Sequence, residues 1–284
     1  HRVESLKKKM KKYLILSSII ALITSLICGN LLFWQFAKEE FDFMDLFSNY
    51  RNENTFIIEK YSEKYTIQFD LDNADLQILP SENAQLYGKV YYHKKENIFD
   101  IQESENTLII TQKPTTDIQW TFLNIGETTG KVILYVPEQL KGNIIIHGKN
   151  GAAEIHNIHA KNLHTTLTNG ACSLKSLTVT EDISLKSVNG VIETKELSAK
   201  TLDIETTNGI IECHGSYSDS IKIKSVNGLL DTKDLYAQTV SLQTKNGAIS
   251  LKNTKDPDYV ISHLITSTSF GNVEIDANYK KHTE

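Results

Sequence analysis

Four histidines, His147, His156, His159 and His164, fall within the 18-residue stretch HGKNGAAEIHNIHAKNLH. Neutral imidazole is a favoured zinc ligand, so the cluster raises the question of a metal centre. Two cysteines, Cys172 and Cys213, lie further on and could form a disulfide or lend thiolates to a metal. Four lysines, Lys175, Lys195, Lys233 and Lys252, recur at matching places in sequence. An acidic set, Glu154, Glu193, Glu212 and Asp231, recurs two residues before that series. A ladder of ammonium groups is suited to a polyanion. Beside an acidic ladder, however, it also reads as a solvated face of compensating charges, each exposed pair worth under about 1 kcal/mol. No nucleophile elbow, phosphate loop or zincin motif occurs. A polysaccharide-cleaving site would need clustered acids, calcium ligands or a Lys/Arg base in a loop-lined groove. Long loops are scarce here, and Tyr217 and Tyr236 are the only aromatics between residues 138 and 256. The chain therefore reads as non-enzymatic, without metal or cofactor.

What positions these residues is a repeat. Asn-Gly occurs at Asn150-Gly151, Asn169-Gly170, Asn189-Gly190, Asn208-Gly209, Asn227-Gly228 and Asn246-Gly247, in steps of 19, 20, 19, 19 and 19 residues. Six residues before each Asn stand Ile144, Leu163, Ile183, Leu202, Ile221 and Val240. Four before it stand Ile146, Thr165, Leu185, Ile204, Ile223 and Leu242. After the Gly, apolar residues recur at the second and fourth places, and again at the seventh and ninth. Spacing of two within each group is the strand period. Each repeat thus holds about three short strands with bends between them.

Two folds use such a unit. Asn-Gly is a strong two-residue hairpin signal, which would give an antiparallel meander. Stacked coils of a single-stranded parallel β-helix would place like residues about 4.8 Å apart in columns. The even pitch and the third apolar group favour the β-solenoid, because an inserted residue would break the column above and below. In that fold the six Asn-Gly pairs form a structural corner ladder, with glycine supplying left-handed geometry and Asn side chains bonded coil to coil. The absence of proline between Pro137 and Pro257 agrees, since interior strands donate on both edges. The stretch NTKDPDYVIS then inserts about five residues beyond the pitch, and the frame resumes with Phe270 in the Asn place, where it is expected to help close the last coil.

The register settles expectations for the reactive groups. His147, His156 and His164 point outward on different faces, so they read as exposed histidines and not as zinc ligands. Cys172 and Cys213 point inward two coils apart, about 9.6 Å, beyond the roughly 7 Å reach of a disulfide. They are expected to be free, buried thiols acting as small apolar fillers. The Lys175, Lys195, Lys233 and Lys252 series faces outward as a possible binding ridge.

Upstream, residues 55–140 carry alternating strand patterns and form a leading β region that caps the solenoid of 141–276; 277–284 is a tail. Residues 37–54 read as a juxtamembrane linker. Tyr13 to Phe36 contains no charged residue and is long enough to span a bilayer as a helix. Five lysines precede it within the basic segment 1–12, and acids follow it. Positive flanks stay cytoplasmic, so the span is expected to be a signal anchor in the cell membrane, single-pass, with the C-terminal part outside. With Met10 as the start, Lys11 and Lys12 would orient it equally. A cleaved signal peptide is the competing reading, but no small-x-small site follows the apolar run. Beyond residue 36 the chain carries 24 Lys and Arg against 34 Asp and Glu, which disfavours nucleic acid as a partner.

The stretches NADLQILPSENAQLYGKVYY, NTLIITQKP, VILYVPEQL, SVNGVIET, TTNGIIEC, SVNGLLDT and TKNGAISL resemble the LiaG-like putative adhesin family of bacterial envelope proteins, over residues 55–276. That resemblance implies a β-helix outside the cytoplasmic membrane, linked to envelope stress, with no established catalytic residues to carry over. It leaves cell-wall polymer or another envelope protein as the expected partner, the latter as a subunit of a membrane signalling complex.

Overall fold

The computed structural model describes residues 50, 52–93, 97–113, 128–256 and 258–280. The span expected at Tyr13–Phe36 and residues 281–284 lie outside the described residues. Among the described residues every regular element is a strand.

The chain winds as a parallel β-solenoid. Strand Asn162–Asn169 pairs in parallel with Asn143–Asn150 on one edge and with Asp182–Asn189 on the other. Leu163 stands opposite Ile144 and Ile183, and Asn169 opposite Asn150 and Asn189. The strands that flank an Asn-Gly do not pair with each other. Cys172–Val179, which follows Asn169-Gly170, pairs instead with Ala153–His156 and Ile192–Ser198. That parallel register excludes the hairpin meander.

Each coil has three sides. In one of them, Asn162–Asn169 is the first, Cys172–Lys175 the second and Leu177–Val179 the third. The inward column is buried through the interior coils, with Leu163, Ile183, Leu202, Ile221 and Val240 each at most 2 % exposed, and is half-buried at Leu264 on the last coil. One inward column was hidden by its polarity. Ser187, Thr206, Ser225 and Thr244, each two residues before an Asn, are buried against the corner. Thr244 Oγ1 donates to Gly228 O at 3.3 Å.

Two corners are built differently. At the first, glycine backbones lie so close that a Cβ on Gly190 would overlap the carbonyl oxygen of Gly170. Gly190 also holds φ at 151°, a region closed to side-chain-bearing residues. Glycine is required there twice over, by φ and by contact. The second corner, between the second and third sides, is left-handed at Asn157, Ser176, Glu196 and Asp234, with φ of 54 to 57°, and at Gly215 with φ of 66°. Mixed residue types occupy it, so no single dipeptide announced it. Irregular length is confined to the third side and its end. The one 20-residue step takes up its extra residue at Thr180 and Glu181, and the five-residue insertion spans Thr254–Ser262.

The leading region contributes a further coil and a lid. β1 (Asn52–Ile58), β2 (Thr66–Pro80), β3 (Leu86–Tyr92), β4 (Phe99–Glu103), β5 (Thr107–Gln112) and β6 (Gly130–Val136) precede β7 (Asn143–Asn150). β2 pairs in parallel with β7, with Ile67 opposite Ile144 and Asn73 opposite Asn150, so it already lies in the coil register. On its other edge β2 pairs in parallel with β5 and β6. β3 runs antiparallel to β1 and β6, and β4 antiparallel to β5. Where no Asn-Gly stands above Asn73, the buried Gln112 side chain substitutes. Its Oε1 accepts from Asp72 N at 3.0 Å and Asn73 N at 2.7 Å, and its Nε2 donates to Asn73 O at 3.1 Å. At the other end, Phe270 stands opposite Asn246 but is 73 % exposed. It does not cover the last coil as expected, because its column lies on the outside of the corner.

Candidate binding surface

The Asn column runs down the first corner. Asn169 Nδ2 donates to Asn150 Oδ1 at 3.0 Å, Asn189 to Asn169 at 2.8 Å, and Asn208 to Asn189 at 2.9 Å. Asn227 donates to Asn208 at 2.8 Å and Asn246 to Asn227 at 2.7 Å. Each amide from Asn169 to Asn227 therefore donates one N–H to the coil before and accepts one from the coil after. The ladder is continuous and exposed, a structural spine whose amides are held in place by one another.

The second side carries the charges. Lys175 stands opposite His156 and Lys195, Lys195 opposite His214, His214 opposite Lys233, and Lys233 opposite Lys252. Lys252 Nζ lies 3.3 Å from Glu274. Two residues away along each strand, Glu154, Ser173, Glu193, Glu212 and Asp231 form the parallel acidic column. Burial pushes the Glu193 and Glu212 carboxyls up, and the next acid in the column, Glu212 or Asp231, pushes them further. Basic and acidic columns thus lie on one face at coil pitch. The face can take a linear ligand with repeating charge.

The histidines do not converge. His147 and His164 lie on first sides in different columns, opposite Thr166 and Ser184 respectively, while His156 is on a second side and His159 on a third. Among the described residues no three His, Cys, Asp or Glu side chains gather as a metal site. Cys172 and Cys213 are both free and buried. Burial alone pushes the Cys172 thiol up to about 12, and it also raises Cys213.

The third side holds what the sequence pattern concealed. Tyr217 and Tyr236 stand opposite each other on adjacent coils, with ring centroids 4.7 Å apart and planes 17° from parallel. Tyr259, from the five-residue insertion, meets Tyr236 edge-on at 5.2 Å. The insertion is pinned by Asp234, whose Oδ1 accepts from Thr254 N at 2.7 Å and Lys255 N at 3.0 Å. Burial would raise that carboxyl, but these backbone donors outweigh it and hold it below the usual range. Asn253 completes the clamp by exchanging hydrogen bonds with both backbone groups of Leu235. A 19-residue separation hides a ring pair from any short motif search.

Comparison with known proteins adds the following. No curated protein matches the chain in sequence. A putative adhesin from Bacteroides fragilis superposes with a TM-score of 0.52 at 13 % identity, covering 79 % of this chain and 97 % of that one. A putative cell adhesion protein from Clostridium sporogenes gives a TM-score of 0.43 at 14 % identity, covering 72 % and 99 %. The first likeness speaks for the fold alone, and nothing is argued from the second. The model of one family, Toastrack DUF4097, matches residues 65–284. That span takes in β2 and every coil described above, so the chain belongs to the Toastrack DUF4097 family.

Proposed function

We propose that this chain is a non-enzymatic, adhesin-like interaction module of the bacterial cell envelope, of the LiaG-like kind and tied to envelope stress. Tyr13–Phe36 holds it in the cytoplasmic membrane with the solenoid outside. The observation that carries the binding role is the in-register column Lys175, Lys195, Lys233 and Lys252, joined by His156 and His214. Ammonium groups in two pairs, Lys175 with Lys195 and Lys233 with Lys252, separated by His214, suit an extended polyanion such as a wall polymer that bears a phosphate on each unit. The uniform sides of the coils support a surface role in preference to catalysis, because the charged columns on them lie open to water.

Retention on purified teichoic acid tests the reading. The wild-type chain should be held at low salt and released as ionic strength rises. A Lys175/Lys195/Lys233/Lys252→Gln variant should lose retention while keeping its melting temperature. Equal retention of the two would remove the lysine column as a binding face. Crosslinking from these lysines in intact cells to one defined envelope protein would point instead to a subunit of a membrane signalling complex.

A further inference from the structure

The stack of rings on the third side ends abruptly. The outward column there runs His159, Thr178, Ser198, Tyr217, Tyr236. Tyr236 is 6 % exposed, covered by the insertion and Tyr259. Tyr217 is 55 % exposed. One face of its ring lies on Tyr236, so the other is turned toward Ser198, one coil along. Ser198 and Thr178 are small and exposed, which leaves ring-sized room above them. The next place in the stack is therefore vacant, with an aromatic floor already fixed in position.

Two groups flank the vacancy. Glu196 and Lys200 lie two residues to either side of Ser198, and both are exposed. Glu196 Oε2 accepts from Ser176 Oγ at 2.9 Å, and Lys200 Nζ lies 3.5 Å from Glu181. A carboxylate acceptor on one side and an ammonium donor on the other suit hydroxyl groups around a ring stacked on the tyrosine. A flat face with axial C–H groups and an equatorial rim of hydroxyls describes a β-linked pyranose. Stacking of C–H groups on an electron-rich ring face follows from the negative face of the aromatic quadrupole.

From these observations we infer that Tyr217 is the platform of a saccharide subsite, which binds an uncharged β-linked pyranose unit over Ser198 between Glu196 and Lys200. The rigid backing explains why a surface tyrosine is worth building this way. Tyr217 stacks on Tyr236, which Tyr259 and the clamped insertion cover in turn, so the platform has a backed face and binding should cost less side-chain freedom than for a lone surface ring. The subsite stands around the left-handed corner from the lysine column and does not rest on it.

Chitotetraose and cellotetraose, both uncharged, are the probes. Saturation-transfer NMR on the full chain, in a detergent without a sugar headgroup, should show contact from the pyranose C–H face with at least one of the two. Tyr217→Ala should weaken binding about tenfold or more, whereas Tyr217→Phe, which keeps the ring, should stay within about threefold. Ser198→Tyr is the second variant and needs no loss of fold. It fills the place between Glu196 and Lys200, and the ring it adds faces Thr178, where Ser176 and Thr180 stand in place of that charged pair, so it should preserve the melting temperature and still abolish the signal. No signal from either oligosaccharide with the wild type would overturn the subsite, and so would undiminished binding by Ser198→Tyr. Because the probes are uncharged, their failure leaves retention on teichoic acid untouched, and loss of that retention leaves this titration standing.

Discussion

Asp203 and Ile204 are neighbours in sequence and opposites in environment. Ile204 is fully buried between Leu185 and Ile223. Asp203 faces outward, its Oδ2 lying 3.5 Å from Lys222 Nζ. Ile204→Asp would strand a charge inside a closed stack and should cost about 4 kcal/mol or more. Asp203→Lys exchanges one exposed ion pair for a like-charge contact and should cost under about 1 kcal/mol. Thermal melts of the two variants check the register, and similar losses would contradict it. Cys172 offers a chemical check at the same scale. With its thiol pushed up to about 12 and no solvent access, it should resist iodoacetamide at pH 8 in the native state. Labelling should appear only as the protein unfolds; rapid native labelling would contradict its burial. Much of this was legible in the sequence, because inward residues such as Ile183, Leu202 and Ile221 are apolar and evenly pitched. Ser187, Thr206 and Ser225 were not legible as core, since a hydroxyl gives no hydrophobic signal even where it packs against the glycine corner.

Columns behave as elements in their own right. Along the acidic column, burial and neighbouring acids raise the Glu193 and Glu212 carboxyls. A carboxyl with a folded-state pKa above its unfolded value favours folding when protonated. Its ionised form opposes folding above that range, and the opposition fades as pH falls through the raised folded-state pKa toward the unfolded value. A Glu193→Gln/Glu212→Gln variant should thus melt higher than wild type at pH 7, by an amount worth under about 1 kcal/mol for these partly exposed groups. The advantage should shrink as pH drops through the carboxylate range. Melting curves at low salt from pH 7 to 4 read it directly, and a variant no more stable at pH 7 would contradict the column's repulsion. The clamp at the left-handed corner is a second element. Asp234→Ala leaves the Thr254 and Lys255 N–H groups without their acceptor and should cost about 1–3 kcal/mol. Hydrogen exchange should rise first at those two amides. The Asn-Gly corner was visible as a dipeptide, but this corner was not, because Asn157, Ser176, Glu196, Gly215 and Asp234 share only their backbone geometry.

At the scale of the whole molecule, length is the governing constraint. Each coil borders two others, so a length error at a tight corner disturbs the columns on both sides. The third side already absorbs one extra residue at Thr180–Glu181 and five more before Ser262. One glycine inserted after Asn189 should therefore destabilise the fold by several kcal/mol, whereas the same insertion after Lys255 should be tolerated within about 1 kcal/mol. Denaturant melts of the two insertions check this, and equal stability would mean the corners are not equivalent to the spool described. The family span and the coil register agree on where regular winding begins, at β2, whose parallel pairing with β7 has no Asn-Gly to mark it.

From Asn143 to Asn246 each strand finds its coil neighbour 19 or 20 residues away, and the last coil follows at 24. Loop closure for each new turn after β7 is thus short and nearly constant. Once β2 is seated between β5, β6 and β7, every later turn lays itself on a finished template. A chain delivered N-terminus first can then fold at the pace of its delivery, gaining stability one turn at a time. Its forward progress is locked in behind it, like a zipper drawn from one end.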